Sequence, residues 1–295
     1  MHKITSTDSY LRYTILTGLF LLPFLAFVVP YGMFFPFITG KNFAFRIIVE
    51  IVTALWIVLA IRDKAYWPRR SLVLYAAGIF LLILAIADIF GVNPDRSFWS
   101  NYERMEGLVT HLHLFAYFLV AGSVLGTSVL RQESERLWFW FLHTTLGASL
   151  LMAFYGLLQL AGMVAINQSA SRVDGTFGNA AYMSIYLVFH IFLALYFAVQ
   201  EKILPWQRWT YVVIAAIEGV VLYKTATRGA IIGLVIGLVL VAIVYLWSRA
   251  GSMKNRKIVG GVLVVILIGI LTPAVFKNSA FVQSSPVLQR FTPET

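Results

Sequence analysis

Apolar residues come in long unbroken runs separated by short polar stretches, and that rhythm dominates the 295-residue chain. A helix rises 1.5 Å per residue, so about twenty apolar residues match a hydrocarbon core of about 30 Å. Nine such runs can be drawn, over 13–35, 43–61, 71–90, 108–130, 137–163, 181–200, 208–224, 229–247 and 258–276. Each predicts a transmembrane helix, because a backbone in lipid must satisfy its polar groups within its own segment. The alternating ten-residue pattern of a membrane β-barrel is missing. The expected fold is an all-α polytopic bundle of about nine spans, one membrane domain over 1–295. The first run continues past Pro23 with no A-x-A site after it, so it reads as a retained span rather than a cleaved signal. The link between the seventh and eighth runs is very short and predicts an antiparallel helical hairpin.

Composition agrees with a chain whose solvent is lipid. Charged residues are 12% and hydrophobic residues 60%, with a mean hydropathy of +0.81, against roughly 25% charged in soluble domains. Cysteine is absent, which excludes disulfides, thiolate metal sites and a cysteine nucleophile. A net charge of +10 would suit nucleic acid if it were clustered, but most basic residues lie in short loops between runs. That is positive-inside sorting, and no nucleic-acid partner is expected.

The same sorting gives orientation. Alternate loops holding Lys3 and Arg12, the 62–70 stretch, Arg131 and Arg136, Lys202 and Arg208, and the 249–257 stretch carry fourteen of the 23 Lys and Arg. These belong to the cytoplasm, which places the N-terminus inside. Residues 277–295 then read as the start of an extracytoplasmic loop that the end of the chain cuts short.

The nine cations on the other side run against this sorting, and three clusters among them suggest a ligand. One is the loop Asn93–Gly107, with Arg96, Arg104, three acids and three aromatics; its bland reading is an interfacial belt with local Arg–Glu pairs. The second is Arg172-Val173-Asp174-Gly175-Thr176-Phe177-Gly178-Asn179, where two glycines predict a tight turn and the next helix offers N–H groups to an anion. The third is Lys224-Thr225-Ala226-Thr227-Arg228-Gly229 at the hairpin tip. If that stretch is helical, Lys224 and Arg228 stand at i and i+4, where like charges repel and an anion would bridge them. Arg104, Arg172, Lys224 and Arg228 are therefore candidate phosphate ligands, since a guanidinium pairs bidentately with phosphate oxygens and is charged at any relevant pH.

Other polar residues in the runs weigh less. Glu50 is most simply the i,i+4 partner of Arg46, and His190 reads as a helix–helix hydrogen bond. Glu218 suits either a buried structural acid or a proton relay. His111 and His113 point to different faces, so one could reach the cationic site, and His111 is a secondary candidate there. Gly229, Gly233 and Gly237 form a small-residue seam that predicts close helix packing. No HExxH, paired-carboxylate or Gly-rich nucleotide loop occurs, which argues against a zinc protease or an ATP-driven pump, and no metal or cofactor is expected.

Three motifs, the SFWSNYERMEGL loop, the R-x-x-GTFGN turn before a helix, and T-x-T-R-G-A opening a Gly-seamed helix, together resemble the bacterial O-antigen ligase and polymerase family over roughly residues 90–295. The resemblance implies a metal-independent, inverting, membrane-embedded glycosyltransferase of lipopolysaccharide and cell-envelope biosynthesis. Such an enzyme takes a glycan from an undecaprenyl-diphosphate carrier at the outer face of the plasma membrane and passes it to a lipid, protein or glycan acceptor. The family's diphosphate-binding arginines fall on Arg172 and Arg228, and Arg290 matches an arginine opening the large outer loop. The family's proposed catalytic histidine lies in that loop, so it is expected beyond Thr295. The alternatives are a transporter for an anionic solute, a flippase for a lipid-linked one, and a peptidoglycan-type polymerase with Asp95 or Asp174 as base. A transporter should show broken helices in repeated halves, and a flippase a cationic cavity open to both faces.

Overall fold

The computed structural model describes residues 6–126, 131–167, 171–200, 203–248, 257 and 259–261. The regular elements there are all helical: α1 (Ser6–Leu21), α2 (Thr39–Arg62), α3 (Leu72–Ile89), a short α4 (Pro94–Trp99), α5 (Leu108–Leu125), α6 (Arg131–Leu160), α7 (Ala180–Ala198), α8 (Pro205–Lys224) and α9 (Arg228–Trp247). Seven helices among the described residues are long and apolar enough to cross a membrane. Eight of the nine expected spans coincide with α1–α3 and α5–α9. The ninth, 258–276, falls almost wholly outside the described residues, as does Arg290.

The first span departs most from expectation. It begins at Ser6, tightens into a 3₁₀ turn over Leu22–Phe27 and gives out there, eight residues before the predicted end at 35. Pro23, at the start of that turn, brings no N–H to continue the α-helical ladder. α8 is long enough to span, but it carries Gln207, Arg208, Glu218 and Lys224 and is not one of the seven most apolar helices. α3 is its opposite, an apolar helix with no buried residue. An apolar helix with no residue fully buried suits lipid on most of its faces.

The chain forms two compact units, Met1–Ala148 and Ser149–Thr295, with the boundary inside α6. In the first, α2 packs against α1 and α5, and α3 against α5. Its core is Ile15, Leu19, Val52, Leu59, Val120 and Val124. α1 and α2 approach closely because position 18 is glycine: a Cβ there would lie 2.3 Å from Cγ1 of Val52. Arg12 pairs with Glu133 at 2.6 Å and Arg62 with Asp8 at 2.5 Å. These pairs bring the N-terminal segment, the end of α2 and the start of α6 to one end of the unit. All three belong to loops that charge sorting assigns to one side of the membrane.

In the second unit α7 and α8 pack against each other most extensively, and α9 meets both. Gly156 lets α6 close on this pair, since a Cβ there would stand 2.7 Å from Cγ1 of Val221. The glycine seam of α9 behaves unevenly. Gly237 lies under the Phe192 ring of α7, where a Cβ would fall 2.4 Å from Cζ, whereas Gly229 and Gly233 meet nothing among the described residues. Only the last of the three thus performs the predicted packing there.

Candidate functional site

The turn before α7 is built on a side chain that sequence reasoning missed. Gln159, 4% exposed near the end of α6, donates through Nε2 to the Asp174 carboxylate at 2.8 Å and to the Ala165 carbonyl at 3.0 Å. Its Oε1 accepts from the backbone N–H groups of Asp174 at 3.3 Å and Gly175 at 2.9 Å. Two donors and two lone pairs are all the amide has, and all are used. Asp174, fully buried, also accepts from the backbone N–H of Asn167 at 3.0 Å. It is committed to holding the turn, which argues against a role as catalytic base.

The glycines then behave as expected. Gly175 and Gly178 have φ of +57° and +64°, left-handed values that other residues adopt at a cost. Asn179 follows as the N-cap of α7, its side chain accepting from the N–H of Ala181 at 2.8 Å. That cap takes one of the donors the sequence had offered to an anion.

Arg172 turns instead toward the α8–α9 link. Its Nε donates to the Thr225 carbonyl at 2.8 Å and its Nη2 to Thr227 Oγ1 at 2.9 Å. Thr227 in turn donates to the carbonyl of Ala180 at 3.3 Å, joining the starts of α7 and α9. The second and third sequence clusters are therefore one place in the fold, with Arg172 as the tether.

The link itself corrects one expectation. Lys224 closes α8, Thr225 and left-handed Ala226 (φ +48°) make the turn, and Arg228 opens α9. Lys224 and Arg228 are consequently not i and i+4 partners on one helix. Both are exposed beside the turn. Their electrostatic settings differ. Lys224 in the last turn of α8 complements the helix dipole, whereas Arg228 sets a positive charge on the positive pole of α9. Thr227, the N-cap of α9, makes no side-chain cap, since its hydroxyl is engaged with Arg172 and Ala180. The first-turn N–H groups of a helix have no intrahelical acceptor. An anion seated there would meet those donors, the Arg228 fork and the Lys224 charge, and would relieve the conflict at Arg228.

Arg104 belongs to the first unit. The Asn93–Gly107 loop contains α4, capped by Asn93, whose side chain accepts from the Arg96 N–H. Arg96 and Arg104 are exposed, and the expected local Arg–Glu pairs do not occur among the described residues. What fastens the loop is Arg46. Buried in α2, it donates from Nη2 to the carbonyl of Met105 at 3.0 Å and to Thr110 Oγ1 at 2.7 Å. Glu50 makes no ion-pair contact with Arg46 among the described residues, although its charge still acts on the guanidinium. Its carboxylate meets His113 Nε2 at 2.9 Å. Gly107 lies against the loop's own backbone, where a Cβ would stand 2.3 Å from the carbonyl oxygen of Phe98. His111 is half-buried, with Nδ1 3.1 Å from the Gly107 carbonyl oxygen and its ring near Phe80. His190 Nδ1 meets the Tyr186 carbonyl of its own helix at 2.8 Å, not a neighbouring helix.

No group of three His, Asp or Glu able to hold a metal ion occurs among the described residues. The helices and their composition make this a multi-pass helical membrane protein. No family model matches the chain, and neither a curated protein nor a solved structure does.

Proposed function

We propose that this protein is a glycosyltransferase of the O-antigen ligase and polymerase kind, moving a glycan from an undecaprenyl-diphosphate carrier to a lipid, protein or glycan acceptor. It works at the outer face of a bacterial plasma membrane, with nine spans and a cytoplasmic N-terminus. The observation that carries this reading is the Arg172 tether to Thr225 and Thr227. It joins two cationic motifs, distant in sequence, at the uncapped head of α9. In this reading Arg228 and Lys224 hold the diphosphate, Arg172 fixes the turn and adds its charge, and Arg104 is a further candidate ligand carried by the first unit. Fixed cations and backbone N–H groups offset the charge that grows on a departing diphosphate without a metal. The three-motif resemblance and the charge sorting support the same assignment.

Orientation is the first test, because the donor glycan is presented on one side only. Reporter tags inserted near Arg69 are expected to read cytoplasm, and tags at Asn101 and Ala226 the opposite side. A cytoplasmic report from the Asn101 and Ala226 tags would put the cationic site out of reach of that donor. Transfer of labelled glycan in membranes should then depend on Arg228 far more than on Arg96.

A further inference from the structure

Glu218 is fully buried in α8. One carboxylate oxygen accepts from the Ser149 hydroxyl of α6 at 2.6 Å. The other is buried and has no hydrogen-bond partner among the described residues, and the buried hydroxyl of Tyr186 in α7 has none either. Tyr186 lies within electrostatic reach of Glu218. One turn further along α7, the His190 ring lies against Tyr186, with centroids 4.3 Å apart and planes tilted by 43°. Among the described residues, no Lys, Arg or His forms an ion pair with Glu218. α9 brings no acid or base beyond Arg228 and Tyr245. Glu218 stands six residues from Lys224, so at 1.5 Å per residue it lies about 9 Å below the cationic end of α8.

We propose that Glu218, beside Ser149 and Tyr186, forms a buried proton-binding site beneath the cationic surface. An unpaired carboxylate in an apolar interior loses its hydration with nothing to replace it, whereas the acid carries no charge and turns its bare oxygen into a donor. The Ser149 hydroxyl already donates to the carboxylate, and the Tyr186 hydroxyl, unpartnered among the described residues, lies within its electrostatic reach. A proton fits better than a sodium ion, because hard cations need many oxygen ligands and one Ser–Glu contact is what the site shows. This site is separate from the proposed diphosphate site, and either can fail without the other.

The test is labelling of the purified protein in lipid with N,N′-dicyclohexylcarbodiimide, which attacks protonated carboxyls. The carboxyl proton passes to a carbodiimide nitrogen, the oxygen bonds to the central carbon, and rearrangement leaves a stable N-acylurea. At pH 7 the peptide carrying Glu218 should be modified at least tenfold more than the one carrying Glu50, and the yield should fall toward pH 9. Ser149→Ala, which removes a donor to the carboxylate, should move that fall to higher pH. Glu218→Gln, a neutral isostere, should remove the label and leave thermal stability unchanged. An unlabelled Glu218 at pH 6–7, labelling that does not vary with pH, or protection by sodium but not by raised pH would each overturn the proposal.

Discussion

Gln159→Leu is expected to collapse the turn that carries Arg172. The leucine is one bond shorter than the glutamine but just as bulky, so little cavity opens and the loss is almost entirely polar. Four hydrogen bonds disappear, one of them to the buried Asp174 carboxylate. Buried groups left unpaired cost more than the bonds themselves contributed, and about 3–5 kcal/mol is the scale for such a network. In a chain of this size that corresponds to roughly 10 °C in the unfolding midpoint. Thermal unfolding in detergent measures it, and Gln159→Glu should be no better, because it sets a second carboxylate against Asp174. A variant within 2 °C of wild type would mean that the turn is held by something other than Gln159.

Arg172→Lys should be nearly as damaging as Arg172→Ala, although it preserves the charge. The arginine spans two acceptors on the α8–α9 turn, the Thr225 carbonyl and Thr227 Oγ1, through Nε and Nη2. A lysine ammonium is a single point at the end of a flexible stem and cannot reproduce that fork. Loss of two hydrogen bonds from a charged donor is worth about 3 kcal/mol, roughly a hundredfold in the affinity of any ligand that needs the turn intact. Limited proteolysis should show new cleavage around 224–228 in both variants. If lysine restored full affinity for the diphosphate, charge alone would matter and the tether would have no part in binding.

What could be read from the chain follows the range over which each interaction acts. Long apolar runs identify helices because the lipid requirement is local, and eight runs became α1–α3 and α5–α9. The glycines of the GTFGN turn were legible for the same reason, since a left-handed backbone is written in adjacent residues, whereas the Asn179 cap that takes one of the α7 donors was not read. Charge sorting likewise grouped the loops that the Arg12–Glu133 and Arg62–Asp8 pairs bring to one end of the first unit. Partners across the fold were not legible. Glu50 looked like the neighbour of Arg46 one helical turn away, yet it meets His113, 63 residues on, while Arg46 reaches Met105 and Thr110. Gln159 gave one faint signal, an amide inside an otherwise apolar helix end, but its acceptors lie across a loop. The i,i+4 reading of Lys224 and Arg228 failed because Ala226 takes a left-handed backbone that no local pattern announces.

If the head of α9 and the end of α8 form a diphosphate site as proposed, the purified protein binds undecaprenyl diphosphate. Affinity should fall steeply as salt rises, since the contacts are charged and exposed, and undecaprenol lacking phosphate should bind far more weakly. Arg228→Ala should weaken diphosphate binding by about tenfold to a hundredfold, the scale of one or two charge-assisted hydrogen bonds, while Arg96→Ala leaves it unchanged. Equal affinity for undecaprenol and its diphosphate, or wild-type binding by Arg228→Ala at equal protein yield, would rule out a diphosphate site there.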